Sequence, residues 1–432
     1  WALLLPAAVP AYIIAYTYTD FLEYAGPVQK IIREFFNFQN AEEYWFPEIR
    51  SMEGAIFVMS FVLYPYIYMT TRASFLTVPI SFFQTSLIYG RNTFFSVALP
   101  LARPGIIAGL ALVLMETVSD FGTVEYFALE TLTLGVFNVW LGMNSLSGAS
   151  QISSVLFVFV VVLLTIEYLA RRNQRFHEKS SGQNMVESKS SSRLHKIICF
   201  LICLTPIVIG FVIPVSVLLN FIFSGFSIID FKQIFYTSFF SITLAFTGAF
   251  FVMLVSIFLI LISNYKSNNL QKSIIFLASC GYALPGTILA VGMVIFLGWI
   301  NEYLHFHLSY FAGGFIVLIF AYIVRFLAVG NASIRSGILK IHPNAMDASL
   351  TMGAGFFRGV KIVIMPLILS NILIGGILVF VDILKELPIT LLLRPFNFET
   401  LATYVYQYAS DELLQESSFA ALIIVVVGLG PI

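Results

Sequence analysis

Charged residues are scarce in this chain of 432 residues: Asp, Glu, Lys and Arg make up 11% of it, against 59% hydrophobic residues. So little polar material cannot coat a water-soluble globule of that length, which places the chain in a bilayer. Neither sign of charge is in excess, with 23 basic and 23 acidic residues, and nearly all the basic ones fall in polar gaps between apolar runs. That distribution argues against a nucleic-acid surface and fits loops that set membrane topology. Cysteine is equally sparse, and Cys199, Cys203 and Cys280 all sit inside apolar runs, so neither a disulfide framework nor a zinc site is expected. The alternating ten-residue pattern of an outer-membrane strand is missing as well, which leaves helices to satisfy the backbone in lipid. The expected fold class is therefore an all-α polytopic membrane protein.

What the chain does have is a series of apolar runs of about 20 residues, the length that crosses a bilayer as a helix. Spans are expected at about 1–19, 52–70, 105–120, 152–170, 196–219, 236–262, 273–299, 311–329, 368–385 and 417–432, ten in all. Leu132 to Leu141 is too short to cross and reads as a re-entrant or interfacial helix. Arg171, Arg172, Arg175, Lys179, Lys189, Arg193 and Lys196 crowd the one long polar stretch and place it in the cytoplasm. Alternation then makes the segments 71–104 and 330–366 cytoplasmic and 20–51 external, although the last carries Lys30, Arg33 and Arg50.

The second half of the chain repeats the first. PLARPGIIAGLALVLMETVSDFGT from Pro100 matches PLILSNILIGGILVFVDILKELPIT from Pro366 at an offset of 266, pairing Gly109 with Gly375, Glu116 with Asp382 and Asp120 with Glu386. ETLT from Glu130 matches ETLA from Glu399, and Leu5–Pro6 matches Leu284–Pro285. Both matched helices start from the cytoplasm, so the repeats are parallel. The expected organisation is a first half at 1–170, a cytoplasmic linker at 171–195 and a second half at 196–432. Two spans of the second half lack a counterpart before Trp1, and both ends of the chain lie inside apolar runs, so the first half reads as truncated and an intact chain is expected to have about twelve spans.

Four carboxylates stand at matched depths. Glu116 is about 16 Å of helical rise beyond Gly105, well inside the apolar zone, and Asp120 one turn on is expected to share its face. Asp382 and Glu386 repeat the pair. Ionisable groups at such depth are costly unless paired or lining a polar path. Two readings stay open: the four line a path for a hard cation, which oxygen ligands suit, or they pair locally, with Lys385 at hand for Asp382 and Glu386, or cap helix ends. His305 and His307 read as a solvated external turn, His177 and His195 lie in the linker, and SSGQNMVESKSSSR is a flexible tether.

Each half also carries a cytoplasmic segment in which a small-residue helix and a Gly precede a Pro that opens the next span: FFQTSLIYGRNTFFSVALP and DASLTMGAGFFRGVKIVIMP. These resemble the coupling motif of binding-protein-dependent ABC importer permeases, Glu-Ala-Ala, three residues, Gly, nine residues, Ile-x-Leu-Pro. Asp347, Ala348, Ser349, Gly353 and Pro366 match it, and Gln84, Thr85, Ser86 and Gly90 match more loosely, with Pro100 ten residues after its Gly rather than 13. A helix that docks into a groove of a separate ATPase needs small residues for close approach and a Gly to end it. No Walker A pattern occurs in the chain, so the nucleotide site belongs to another polypeptide.

VALPLARPGIIAGLALVLMETVSDFGTVEYF, LVFVDILKELPITLLLRPFNFETLATYVYQYASDE and LPAAVPAYIIAYTYTDFLEYAGPVQ narrow the resemblance to iron(III)-type importer permeases with two fused halves. The resemblance implies a non-enzymatic transport subunit of the bacterial inner membrane that imports iron(III) or a small iron chelate. It implies two ATPase subunits holding ATP and Mg, a periplasmic substrate-binding protein, no cofactor bound by this chain, and a transient passage of Fe(III) past Glu116, Asp120, Asp382 and Glu386. Another solute delivered by a binding protein, such as thiamine, a polyamine or a phosphonate, is the alternative within the class; a proton-driven secondary transporter is the alternative outside it.

Overall fold

The computed structural model describes residues 1–76, 78, 80–172, 192–265, 269–304, 314–342 and 344–432. Most of the expected linker, with His177, and the turn holding His305 and His307 lie outside the described residues. In chain order the α-helices are α1 (Ala11–Leu22), α2 (Pro27–Phe36), α3 (Met52–Leu76), α4 (Ile80–Ile88), α5 (Leu99–Ser119), α6 (Gly122–Tyr126), α7 (Leu132–Phe137), α8 (Leu146–Arg172), α9 (Arg193–Ile207), α10 (Ile213–Ser224), α11 (Phe231–Tyr265), α12 (Asn269–Ser279), α13 (Gly286–Leu304), α14 (Phe315–Ile338), α15 (Ala345–Thr351), α16 (Phe356–Gly359), α17 (Met365–Lys385), α18 (Pro388–Leu393), α19 (Leu401–Ser410) and α20 (Leu414–Gly428). No strand occurs among the described residues. The chain is an all-α polytopic membrane protein.

Among the described residues eight helices are long and apolar enough to cross a membrane, and nine if the bent pair at the start counts as one span. Ten spans are expected from the sequence, and the difference lies in three of the runs. The first is a 3₁₀ segment, Ala2–Ala8, joined to α1 through Pro10 with a bend of 92°. The run at 273–299 is two helices, α12 and α13, parted by the 3₁₀ turn Cys280–Ala283 and Pro285, because proline cannot donate the N–H that a continuous helix would use. The last, α20, is 15 residues long.

The chain forms two compact units, one of residues 1–131 and 154–217, the other of residues 132–153 and 218–432. This partition is not the sequence repeat: 132–153 packs in the second unit, around Val136, Ala149 and Val291, and α9 in the first. Within the first unit α3 packs on α5, and α1 on α6 and α3. The Tyr64 hydroxyl donates to the Leu3 carbonyl (2.5 Å) and that of Tyr18 to the Ile209 carbonyl (2.7 Å), tying the start of the unit to its last segment.

Within the second unit the repeated elements are arranged alike: α14 packs on α17, and α13 on α18 and α14. The two helix pairs share a close approach. A Cβ on Gly109 of α5 would lie 2.6 Å from the Ile67 Cα and 2.5 Å from the Thr70 hydroxyl on α3, and one on Gly375 of α17 would lie 2.7 Å from the Ser333 hydroxyl on α14. Lipid gives helices no hydrophobic drive to associate, so such small-residue contacts carry the packing. One turn nearer the start of α5 and α17 the small residue changes sides. In the first unit Gly105 of α5 faces Ser74 of α3; in the second, Gly337 of α14 faces Asn371 of α17, whose amide donates to the Ser336 hydroxyl (2.9 Å).

Candidate functional site

The two segments that lead into Pro100 and Pro366 fold alike. α4 and α15 are short surface helices on which Gln84, Thr85, Asp347 and Ala348 are exposed, while Ser86 (6% exposed) and Ser349 (2%) face inward. Each helix ends on its glycine in the left-handed region, φ +64° at Gly90 and +86° at Gly353. The residue after each glycine donates its N–H five positions back to the inward serine, Arg91 to the Ser86 carbonyl (3.0 Å) and Ala354 to that of Ser349 (3.1 Å). This six-to-one closure needs a residue that tolerates positive φ, which is why glycine stands there. Apolar side chains stay uncovered around both ends: Leu87, Ile88 and Tyr89 in the first, Leu350 and Met352 in the second.

The unequal spacing from Gly to Pro leaves these helices unchanged. Ser86 Oγ lies 3.1 Å from the Thr93 hydroxyl, and at the matched position a Cβ on Gly359 would lie 2.5 Å from Ser349 Oγ. The three additional residues of the second half lie between Gly353 and Gly359 and go into the extra turn α16. Nor do the prolines open the spans. The apolar helices run from Phe94 to Ser119 and from Phe356 to Lys385, so Pro100 and Pro366 sit inside them.

The carboxylates divide into two kinds. Glu116 and Asp382 lie within α5 and α17 and are half-buried. Asp120 and Glu386 stand where those helices break, with extended backbone (ψ 134° and 120°), because each caps the next short helix. Asp120 Oδ1 accepts the N–H groups of Thr123 (3.0 Å) and Val124 (3.3 Å), and Oδ2 accepts the Thr123 hydroxyl (3.0 Å). Glu386 Oε1 accepts the Ile389 N–H (3.3 Å). Asp120 and Glu386 close α5 and α17 with φ still helical (−64° and −66°), so each stands one turn beyond Glu116 or Asp382 as expected, but the chain turns away after it and its carboxylate is engaged at the start of the next short helix.

Glu386 has a second partner that no sequence pattern pointed to. Its Oε2 lies 3.3 Å from Arg325 Nε on α14, with both side chains under 10% exposed. The Arg325 Nη1 also donates to the Leu284 carbonyl before the proline break (3.3 Å). Thr390 of α18 donates its hydroxyl to the Glu386 carbonyl (2.9 Å), so the bond between Tyr322 and Thr390 (2.6 Å) is donated by Tyr322. One buried cluster thus joins α13, α14, α17 and α18. A hint of it does stand in the sequence, since an arginine inside an apolar span demands a partner. Among the described residues no three His, Cys, Asp or Glu side chains are gathered so as to hold a metal ion.

No family model matches the chain. Among curated proteins it is 22% identical over 435 residues to the Fe(3+)-transport system permease protein FbpB 2 of Haemophilus influenzae, a match that covers 98% of this chain and 79% of that protein. It is 19% identical over 464 residues to the ferric transport system permease protein FbpB of Actinobacillus pleuropneumoniae, covering 98% of this chain and 63% of that protein. A shorter match, 26% over 185 residues and 40% of this chain, is to the molybdenum transport system permease protein ModB of H. influenzae, of which it covers 76%. The resemblance to iron(III)-type importer permeases read from the repeated segments therefore extends over nearly the whole chain.

Proposed function

We propose that this chain is the permease subunit of an ATP-driven importer that carries iron(III) or a small iron chelate across a bacterial inner membrane. The observation that carries the reading is the pair of surface helices α4 and α15, ended by the same glycine closure at matched places in a chain similar throughout to Fe(3+)-transport permeases. Two ATPase subunits, holding ATP and Mg, meet the exposed faces around Gln84–Thr85 and Asp347–Ala348, and a periplasmic binding protein delivers the cargo from outside. The chain itself supplies no catalytic group. Its two halves open alternately to either side.

Glu116 and Asp382, half-buried ionisable groups within apolar spans of their respective units, are the carboxylates we assign to the path. Carboxylate oxygens suit a hard trivalent cation, and a single carboxylate makes a passing contact rather than a cage, as release to the cytoplasm requires. The test is uptake of radiolabelled iron into proteoliposomes holding this chain, its ATPase and its binding protein. Uptake should need ATP, vanish with Gly353→Asp, and fall with Glu116→Gln plus Asp382→Asn while ATP hydrolysis continues. Uptake without ATP that collapses with the proton gradient would overturn the ATP-driven reading in favour of a secondary transporter. A different cargo is the second reading, favoured by the match to the molybdenum permease; ATP-dependent uptake of molybdate with none of iron would establish it.

A further inference from the structure

We propose that Pro100 and Pro366 are positioning residues: each forces a widened turn at the base of its span and thereby aims the residue on which the coupling helix docks. The inference rests on the importer reading above and names how the coupling helices are held.

Proline inside a helix removes an N–H and drives its ring against the carbonyl four residues back, which here belongs to Ser96 or Ile362. The helix answers in the same way in both halves. Directly upstream lie two five-residue π segments, Phe94–Ala98 and Val360–Ile364, closed by Leu99 N–H to the Phe94 carbonyl and Met365 N–H to that of Val360. Val208–Val212, which precedes Pro214 by the same interval, shows the turn a third time. Three of the four π segments among the described residues have a proline at that interval, Asn138–Gly142 being the exception. Pro65, Pro104 and Pro206 stand inside α-helices without such a segment upstream, so the widened turn belongs to the helix start at Pro100 and Pro366 and not to proline in general.

A π turn holds one more residue than an α turn, so the residue just before it is rotated by about 100° relative to an unbroken α-helix, against a coupling helix, α4 or α15, that is packed on the π segment itself. The residue just before each π segment is Thr93 or Gly359, the residue that meets Ser86 or Ser349 on the coupling helix. Proline, widened turn, docking residue and buried serine thus form one chain of contacts from the span to the surface helix, built twice.

The test uses the complete transporter in proteoliposomes, with uptake per ATP hydrolysed as one readout and a cargo-independent cross-link as the other. For the cross-link, Ser86→Cys and Thr93→Cys are placed in a chain whose native cysteines are replaced by serine. The wild-type side-chain oxygens lie 3.1 Å apart, so the disulfide should form readily. Pro100→Ala allows the turn to close to α geometry, and the cross-link should fall at least tenfold. Pro100→Ala with Pro366→Ala should lower uptake per ATP at least tenfold with the unfolding temperature unchanged or raised. Deleting Val97 and Val363 in that double variant removes the surplus residue from each turn, and should return both the cross-link and the coupling ratio. Unchanged cross-linking in Pro100→Ala, or a folded deletion variant that fails to recover, would overturn the inference. If the unmodified complex takes up no iron, the cargo assignment falls while the cross-link result still decides the inference.

Discussion

Removing Arg325 should destabilise the second unit far more than removing Arg325 and Glu386 together. The two side chains are almost fully buried, with Nε and Oε2 3.3 Å apart, a separation worth about 5 kcal/mol at an effective dielectric constant near 20. Most of that attraction offsets the cost of taking both charges out of water, so the pair adds little net stability. Breaking it is different, because a buried carboxylate left without its cation costs about 3–5 kcal/mol. Arg325→Met should therefore lower the free energy of unfolding by that amount, and Glu386→Gln should act similarly through the stranded guanidinium. The double variant keeps an oxygen that can accept the Ile389 N–H and leaves no charge behind, so it should fall within about 1 kcal/mol of wild type. The assay is unfolding by SDS titration in mixed micelles, read as a double-mutant cycle. A coupling energy below about 1 kcal/mol would refute the reasoning, since charges that do not sense each other are not a pair.

The geometry dictates three further outcomes. Gly90→Ala and Gly353→Ala each force a β-carbon into the left-handed region, at a cost of about 1–2 kcal/mol that should appear as fraying of the coupling helix in hydrogen exchange and as reduced co-purification of the ATPase. Asp120→Ala removes the cap of α6 and should cost about 1 kcal/mol, whereas Asp120→Asn, which keeps an acceptor oxygen, should cost less than half as much in the same unfolding assay. Gly109→Val and Gly375→Val push apart helices that touch through backbone and hydroxyl, and each should cost about 1–3 kcal/mol, while Gly292→Ala on α13, where a β-carbon meets nothing within 4 Å, should be tolerated.

The helical class and the repeat were legible because they depend on composition and on residue type at fixed intervals, which lipid makes stringent, whereas ten expected spans became eight or nine long apolar helices among the described residues. The breaks were not legible, because a period of 3.6 was carried past them. Asp120 and Glu386 sit one turn beyond Glu116 and Asp382 and look like members of the same stripe. The signal for their capping role lay just downstream: Leu387 precedes Pro388, which disfavours a continued helix, and a carboxylate three residues before a free N–H is a cap. Arg325 was equally visible inside AYIVRFLAVG, but its partner is 61 positions away on another helix, and no local pattern joins them.

The repeat also shows which parts of the design tolerate change. The offset between halves is 263 from Ser86 and Ser349 to Gly90 and Gly353, and 266 from Thr93 and Gly359 onward, so the insertion falls between a helix end and the residue that supports that helix. A change there would disturb docking if the intervening loop set the geometry. It does not, because the glycine closure fixes one side, the widened turn before the proline fixes the other, and three surplus residues coil into α16 without altering either. The break beyond the span shows the opposite freedom. Its capping carboxylate is kept, but its support differs, with a threonine hydroxyl on Asp120 and a buried guanidinium on Glu386. What both halves preserve is therefore the conformation at each end of the matched helix, and what differs is the chemistry that enforces it.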